Sequence, residues 1–355
     1  MTDVFFATNR EGDGTGKGYF GREIRKPEGA FRVGTARVER GGAEWRVTSV
    51  TVEPEHMPTP DEIAAGIATA DPKQQVWGSA SLFGKMVAAL RPEISGSGAI
   101  EKAALVFIHG AAYDFPDAME DAAELAALYS TERLQLVPFA FSYPTNGEYT
   151  PLGYVSDKHD ARRSGLAMAR AFQRFSEYMA AAGRAARCGA RIFLVAHSMG
   201  NFALRHAVQE LITNPRMRTV RLFDKVFLMA PDEDVDAFHH DHKLVPITRL
   251  TTEVNIYIRT DDKLLALSDV LDEDRLGHVG PLPPIRETIA GCSIAVVDCT
   301  PVIAVADADT RHRYYRRAPE VVADMRAVLS GMTPGKIAER HYDELRICWV
   351  LRDQP

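Results

Sequence analysis

Basic stripes, cysteine pairs and long apolar runs are all missing from this sequence, and each absence removes a class of function. Lysine and arginine total 42 against 48 acids, a net charge of -6, and the two signs are intermixed along the chain. A nucleic-acid partner would need a basic face, so none is expected. The four cysteines (Cys188, Cys292, Cys299, Cys348) are scattered, with no CxxC pair and no ligand-like spacing. They read as reduced, buried thiols, with neither a disulfide framework nor a metal site. The opening MTDVFFATNREGDG lacks the n-region, apolar run and cleavage site of a signal peptide. No apolar run is long enough to span a membrane, so the cytoplasm is the expected location. The glycine-rich EGDGTGKG lacks the GxxxxGK[ST] spacing of a phosphate loop and reads as a turn.

What is present suits a large packed core. Of 355 residues, 46% are hydrophobic and 25% charged, enough for one large domain or two modest ones. The pattern changes near residue 100. Before it, VFFAT (4–8), VGTARVE (33–39) and EWRVTSVTV (44–52) alternate like half-buried antiparallel strands, and helices are expected around 61–70 and 73–90. From 102 onward, apolar runs (ALVFIHG, LQLVPFAFS, RIFLVA, KVFLMA, VNIYIRT, SIAVVD) alternate with amphipathic segments, one of them a long helix over 158–182. Continuous apolar strands separated by helices predict a mostly parallel central sheet covered on both faces. We therefore expect an α/β catalytic domain over 101–355. Residues 1–100 form a β-rich extension, expected to join the same sheet; a separable interaction module is the alternative.

The most informative stretch is RIFLVAHSMGNFALRHAV. A buried strand runs into Ala-His-Ser-Met-Gly and continues as a helix, the pattern of a nucleophile elbow that lifts a serine hydroxyl out of a sheet. Ala196 and Gly200, two residues either side of Ser198, are small because strand and helix backbones nearly touch there. The helix N-terminus favours developing negative charge, so the Met199 amide is one expected oxyanion donor. The second is Ala111 or Ala112, after the strand that ends in His109-Gly110. His109 itself reads as a loop brace that could reach the pocket.

These pieces resemble a known family. VFIHGAAYDFPDAMEDAAELA, FSYP, LVAHSMGNFAL and MAPDEDVDAF, with the opening VFFATNR and IYIRTDDKLLALS, look like a bacterial α/β-hydrolase family of unknown function in the esterase/lipase superfamily. The resemblance spans roughly residues 1–8 and 102–316. It implies the α/β-hydrolase fold and a Ser-Asp-His triad, without a settled substrate.

In that fold the acid and then the histidine follow the serine along the chain. His312, in a polar loop after SIAVVD, lies where the last strand delivers its histidine; His278 and His341 are the alternatives. The similar family also carries a histidine closely followed by a tyrosine pair, as Tyr314 and Tyr315 follow His312. For the acid, the resemblance implies Asp262; Asp261 could cap the next helix, and Asp232, after KVFLMA, is the alternative acid. The segment 142–160 reads as a long loop that could line the substrate mouth with Tyr143, Tyr149 and Tyr154, joined by Tyr113. FHHDHK (His239, His240, His242) reads as a solvated loop, and Arg162 and Arg163 as surface salt-bridge formers.

The expected activity is cleavage of a carboxylic ester, with a small acyl substrate as partner and no cofactor or metal. Amidase, thioesterase or acyltransferase chemistry would use the same triad, and a non-catalytic ligand-binding member of the fold is the rival of another class. Dehalogenation is disfavoured, since it needs an aspartate at the elbow.

Overall fold

A computed structural model describes residues 1–14, 19–53, 78–95, 98–148, 150–181, 190–215, 217, 220–271, 274–302 and 311–352. The principal strands are β1 (Thr2–Thr8), β2 (Arg32–Gly41), β3 (Glu44–Val52), β4 (Gly98–Ile108), β5 (Leu134–Ser142) and β6 (Ile192–His197). They continue with β7 (Lys225–Met229), β8 (Glu253–Ile258), β9 (Cys292–Asp298), β10 (Arg340–Asp343) and β11 (Cys348–Leu351). In space their order is β10-β11-β9-β8-β7-β6-β4-β5-β1-β2-β3. From β11 to β1 every pairing is parallel; β2 and β3 at one margin and β10 at the other are antiparallel.

β1 departs from expectation. It is an interior strand, parallel to β5 and antiparallel to β2, with Val4, Phe5, Phe6 and Ala7 all buried. Its run of four apolar residues, Val4 to Ala7, is the mark of burial on both faces, which alternation alone would not produce. At the opposite margin, β10 and β11 extend the sheet from a C-terminal segment in which residues 347–351 are an unbroken apolar run that the expected strands did not include.

Among the described residues, the longer helices flanking the sheet are α1 (Gly78–Ala89), α2 (Phe115–Tyr129), α3 (Pro151–Ala181), α4 (Met199–Thr213), α5 (Lys263–Leu271) and α6 (Pro319–Leu329). Leu82 and Met86 of α1, Met168 and Phe172 of α3, and Leu204 and Ala207 of α4 share one apolar cluster. Met119 and Leu125 of α2 and Val321 and Met325 of α6 belong to the other. The sheet is thus sandwiched, and the strand–helix turns gather at the carboxyl ends of the parallel strands, where such sheets bind ligands. Of the expected helices, 61–70 lies outside the described residues, as do Cys188 and Tyr149.

The segment read as a loop over 142–160 is helical from Pro151 onward. Thr150 caps α3, its Oγ1 accepting from the Gly153 amide at 3.0 Å and its carbonyl from the Tyr154 amide at 2.8 Å. Pro151 holds the first helical position, where a missing N–H costs nothing. Thr-Pro is a helix-start signal, masked here by Gly153 and the surrounding tyrosines. Tyr154 therefore stands on a helix.

Candidate active site

The turn after β6 is strained where a nucleophile elbow should be. Ser198 has φ 52° and ψ -126°, a backbone conformation that residues with a side chain rarely adopt. Its amide donates to the Met229 carbonyl at 2.9 Å, and its carbonyl accepts from Asp232 N and Asn201 Nδ2. A Cβ at Gly200 would stand 2.4 Å from the His109 carbonyl oxygen, so only glycine lets α4 pass that closely. Ser198 keeps 8% of its surface accessible and lines a cleft of about 630 Å³, solvent at its mouth included.

His312 lines the same cleft. Its Nδ1 lies 2.7 Å from Asp262 Oδ2, deep in the protein. A carboxylate only accepts, so Nδ1 carries the proton and Nε2 keeps its lone pair. The other oxygen of Asp262 accepts the Leu264 and Leu265 amides at 3.0 and 3.2 Å. One residue therefore caps α5 and grips the imidazole. Asp261, expected as the cap, instead pairs with Arg259 Nε at 2.5 Å. His197 holds His312 from beneath, its Nε2–H donating to the His312 carbonyl at 3.3 Å and the two rings 4.7 Å apart. Burial first, and then the neighbouring His312, push His197 well below the usual histidine range, so it stays neutral.

Asp232 also lines the cleft, but its partners there are a tyrosine, a serine and an arginine. Its carboxylate accepts from the Tyr154 hydroxyl at 2.9 Å and from Ser268 Oγ at 2.9 Å, with Arg275 Nε at 3.5 Å. Burial, and next the charge of Asp232, raise the Tyr154 hydroxyl above its ordinary pKa. The alternative histidines stand elsewhere. His278 lies on a short helix, Leu276–Val279, and His341 is exposed on β10.

One expectation about the oxyanion loop and one about the pocket need correction. Ala112 does not face the site as a free donor, because its amide donates to Asp157 Oδ2 at 2.9 Å. Ala111 lines the cleft, and Met199 opens α4 at a position whose amide has no intrahelical partner. Of the pocket residues proposed from sequence that are described, only Tyr154 lines the cleft; His109, Tyr113 and Tyr143 are buried behind it. His109 donates from Nδ1 to the Gly110 carbonyl at 2.8 Å and accepts the Tyr143 amide on Nε2 at 3.1 Å. Its ring lies parallel to that of Tyr143 at 4.3 Å. Burial, and next the charge of Arg10, take its pKa down to about 3, so it is a neutral brace.

Sequence reasoning missed three polar anchors. Arg10 is fully buried and donates to Ser142 Oγ at 2.9 Å and to the Gly21 and Tyr113 carbonyls at 3.1 and 2.9 Å. Asp157 accepts the Ala112 and Asn146 amides, and Asp121 accepts the Tyr113 hydroxyl. The available signal was a charge inside an apolar pattern: Arg10 follows a buried strand, and Asp121 sits between Ala118 and Leu125 on the core face of α2. Other charged motifs are superficial. Arg163 pairs with Glu28 at 2.8 Å, and His240 with Asp236 at 3.1 Å. Among the described residues no cluster of three His, Cys, Asp or Glu side chains could hold a metal ion. Nor is any helix there long and apolar enough to cross a membrane.

A strained serine at a strand–helix turn within a mostly parallel, helix-covered sheet defines an α/β-hydrolase architecture. The chain belongs to the family described as alpha/beta hydrolase of unknown function (DUF900), whose model matches residues 93–330. No curated protein matches the sequence significantly. Among solved structures, one of two Rhizomucor miehei esterases is 9% identical, covering 84% of each chain with a TM-score of 0.37. A Trichoderma reesei cutinase in complex with a phosphonate inhibitor is 11% identical over 63% of this chain and 92% of its own, TM-score 0.29. An esterase/lipase from an uncultured bacterium is 10% identical over 76% and 96%, TM-score 0.29. With TM-scores this low, the family match alone carries the assignment.

Proposed function

We propose that the protein is a serine hydrolase that cleaves a carboxylic ester through an acyl-enzyme, with Ser198 as nucleophile, His312 as base and Asp262 as its orienting acid. The observation that carries this reading is the 2.7 Å contact between His312 Nδ1 and Asp262 Oδ2 beside the cleft that Ser198 lines. It leaves Nε2 able to take a proton, and the buried carboxylate stabilises the cation that results.

In this mechanism Nε2 accepts the Ser198 proton as Oγ attacks the ester carbonyl. The Met199 and Ala111 amides bind the oxyanion, replacing the pair that would have included Ala112. Collapse expels the alcohol, which takes the proton from His312, and leaves the serine acylated. A water, deprotonated by the same Nε2, then releases the acid and restores the serine. Leu264, Leu265 and Ala111 give the cleft an apolar wall for the acyl or alcohol group. The reaction calls for no cofactor.

A fluorophosphonate probe and a panel of p-nitrophenyl esters from acetate to palmitate test the reading. Wild type should label and hydrolyse at least one ester, and Ser198→Ala should do neither. A wild-type protein that binds ligands in the cleft yet neither labels nor turns over would be a non-catalytic member of the fold. Matched amide and thioester substrates decide between ester cleavage and its relatives, since all would use the same groups.

A further inference from the structure

The segment bearing His312 and the loop bearing Ala111 belong to different parts of the chain, yet one chain of buried polar contacts joins them behind the cleft. Tyr113, two residues after Ala111, donates its hydroxyl to Asp121 Oδ2 at 2.5 Å. Asp121 pairs through its other oxygen with Arg316, whose Nη1 also donates to Glu124 at 2.8 Å. Arg316 ends the turn that follows His312, on the short helix Tyr314–Arg317. The adjacent Tyr315 carbonyl accepts the Tyr129 hydroxyl at 2.7 Å, and the Arg313 guanidinium lies 5.4 Å from the centre of the Tyr113 ring. The main chain of Tyr113 is held as well, by Arg10 and by Thr145 Oγ1.

Stability does not account for this arrangement. Asp121 and Arg316 are 9% and 6% exposed, on helix faces otherwise filled by apolar residues. Burying two charges costs about as much as their attraction returns, and apolar residues of equal volume often stabilise more. What an ion pair adds is direction, because a guanidinium donates to its carboxylates in one plane.

We propose that Tyr113, Asp121 and Arg316 form one strut that sets the oxyanion loop against the base, making Asp121 and Arg316 positioning residues of the site. The proposal rests on the serine-hydrolase reading for its effect on turnover, but not for its effect on His312. The strut works by holding the distance between the Ala111 amide and the His312 imidazole, a distance the transition state requires and substrate binding does not. Its loss therefore acts on kcat and spares KM.

The test uses the full chain as Tyr113→Phe, Asp121→Asn and the double variant, below the unfolding temperature of the weakest. Each single change should lower kcat on p-nitrophenyl acetate by about 10- to 100-fold, the order expected when reacting groups shift by an ångström, with KM nearly constant. The double variant should be no worse than the worse single, since both cut one strut. Falling thermal midpoints with kcat intact, or losses that multiply in the double variant, would overturn the proposal. An activity-free readout is the downfield Nδ1 proton of His312 in histidine-labelled protein. Its shift or broadening in Asp121→Asn supports the strut even if wild type hydrolyses nothing, which would sink only the hydrolase reading. An unchanged resonance sinks the strut.

Discussion

The turns after β7 and β8 each deliver a buried aspartate to the same region, yet the two carboxylates have different occupations. Asp232 is 1% exposed and Asp262 fully buried, so burial does not separate them. Asp262 spends one oxygen on the amides of α5 and the other on the His312 imidazole. Asp232 is held by the Tyr154 and Ser268 hydroxyls and paired with Arg275, which ties the first turn of α3 to α5 and to the wall of the cleft. The lesson is that a strand-end aspartate can serve as the orienting acid of the proposed mechanism only when one of its lone pairs faces a histidine. An equally buried neighbour with its lone pairs filled is a fastener.

The sharpest way to break this comparison is to neutralise each aspartate in turn. Asp262→Asn should lower kcat by about 10⁴-fold, because an amide in place of the acid favours the wrong imidazole tautomer. Asp232→Asn should stay within about tenfold of wild type while losing roughly 1–3 kcal/mol of stability, as Tyr154, Ser268 and Arg275 lose a charged acceptor. Esterase rates together with urea midpoints check both; equal kinetic losses would erase the distinction.

Glu233, beside Asp232, extends the comparison to pH. Burial, only partly offset by Arg205, raises its carboxyl to about 8. Its folded pKa thus exceeds the unfolded value, so the stability it contributes is complete below the ordinary glutamate range and is lost as pH rises toward 8. Unfolding free energies measured from pH 4 to 9 should fall across that window, and Glu233→Gln should flatten the fall. Smallest of all, Tyr154→Phe should cost about 1 kcal/mol, the worth of one hydrogen bond, with kcat nearly unchanged. A large kcat loss there would move Tyr154 from the fastener into the chemistry.

Much of this arrangement was legible beforehand because it is local. The elbow could be read because its geometry demands small residues at fixed offsets, and Gly200 against the His109 carbonyl shows the cause. Strands β5 to β9 matched their apolar runs to within a residue or two for the same reason: burial on both faces leaves a continuous signature. The start of α3 was also written locally, in Thr150-Pro151, but it was obscured by the glycine that follows. Less legible were contacts whose partners lie far apart. Nothing near Ala112 announced that Asp157, 45 residues on, would take its amide. Nothing near Arg10 announced that it would reach Tyr113, 103 residues away.

The sequence by itself determined the alternation of strands and helices, the strained turn at Ser198 and the short list of aspartates and histidines able to serve it. These follow from backbone sterics and from the periodicity of burial, which act over a few residues. Only the tertiary structure decided which aspartate meets which imidazole, which loop amide is taken by a side chain and how the N-terminal strand enters the sheet. Hydrogen bonds depend on direction within tenths of an ångström, and that is set by packing elements distant in the chain.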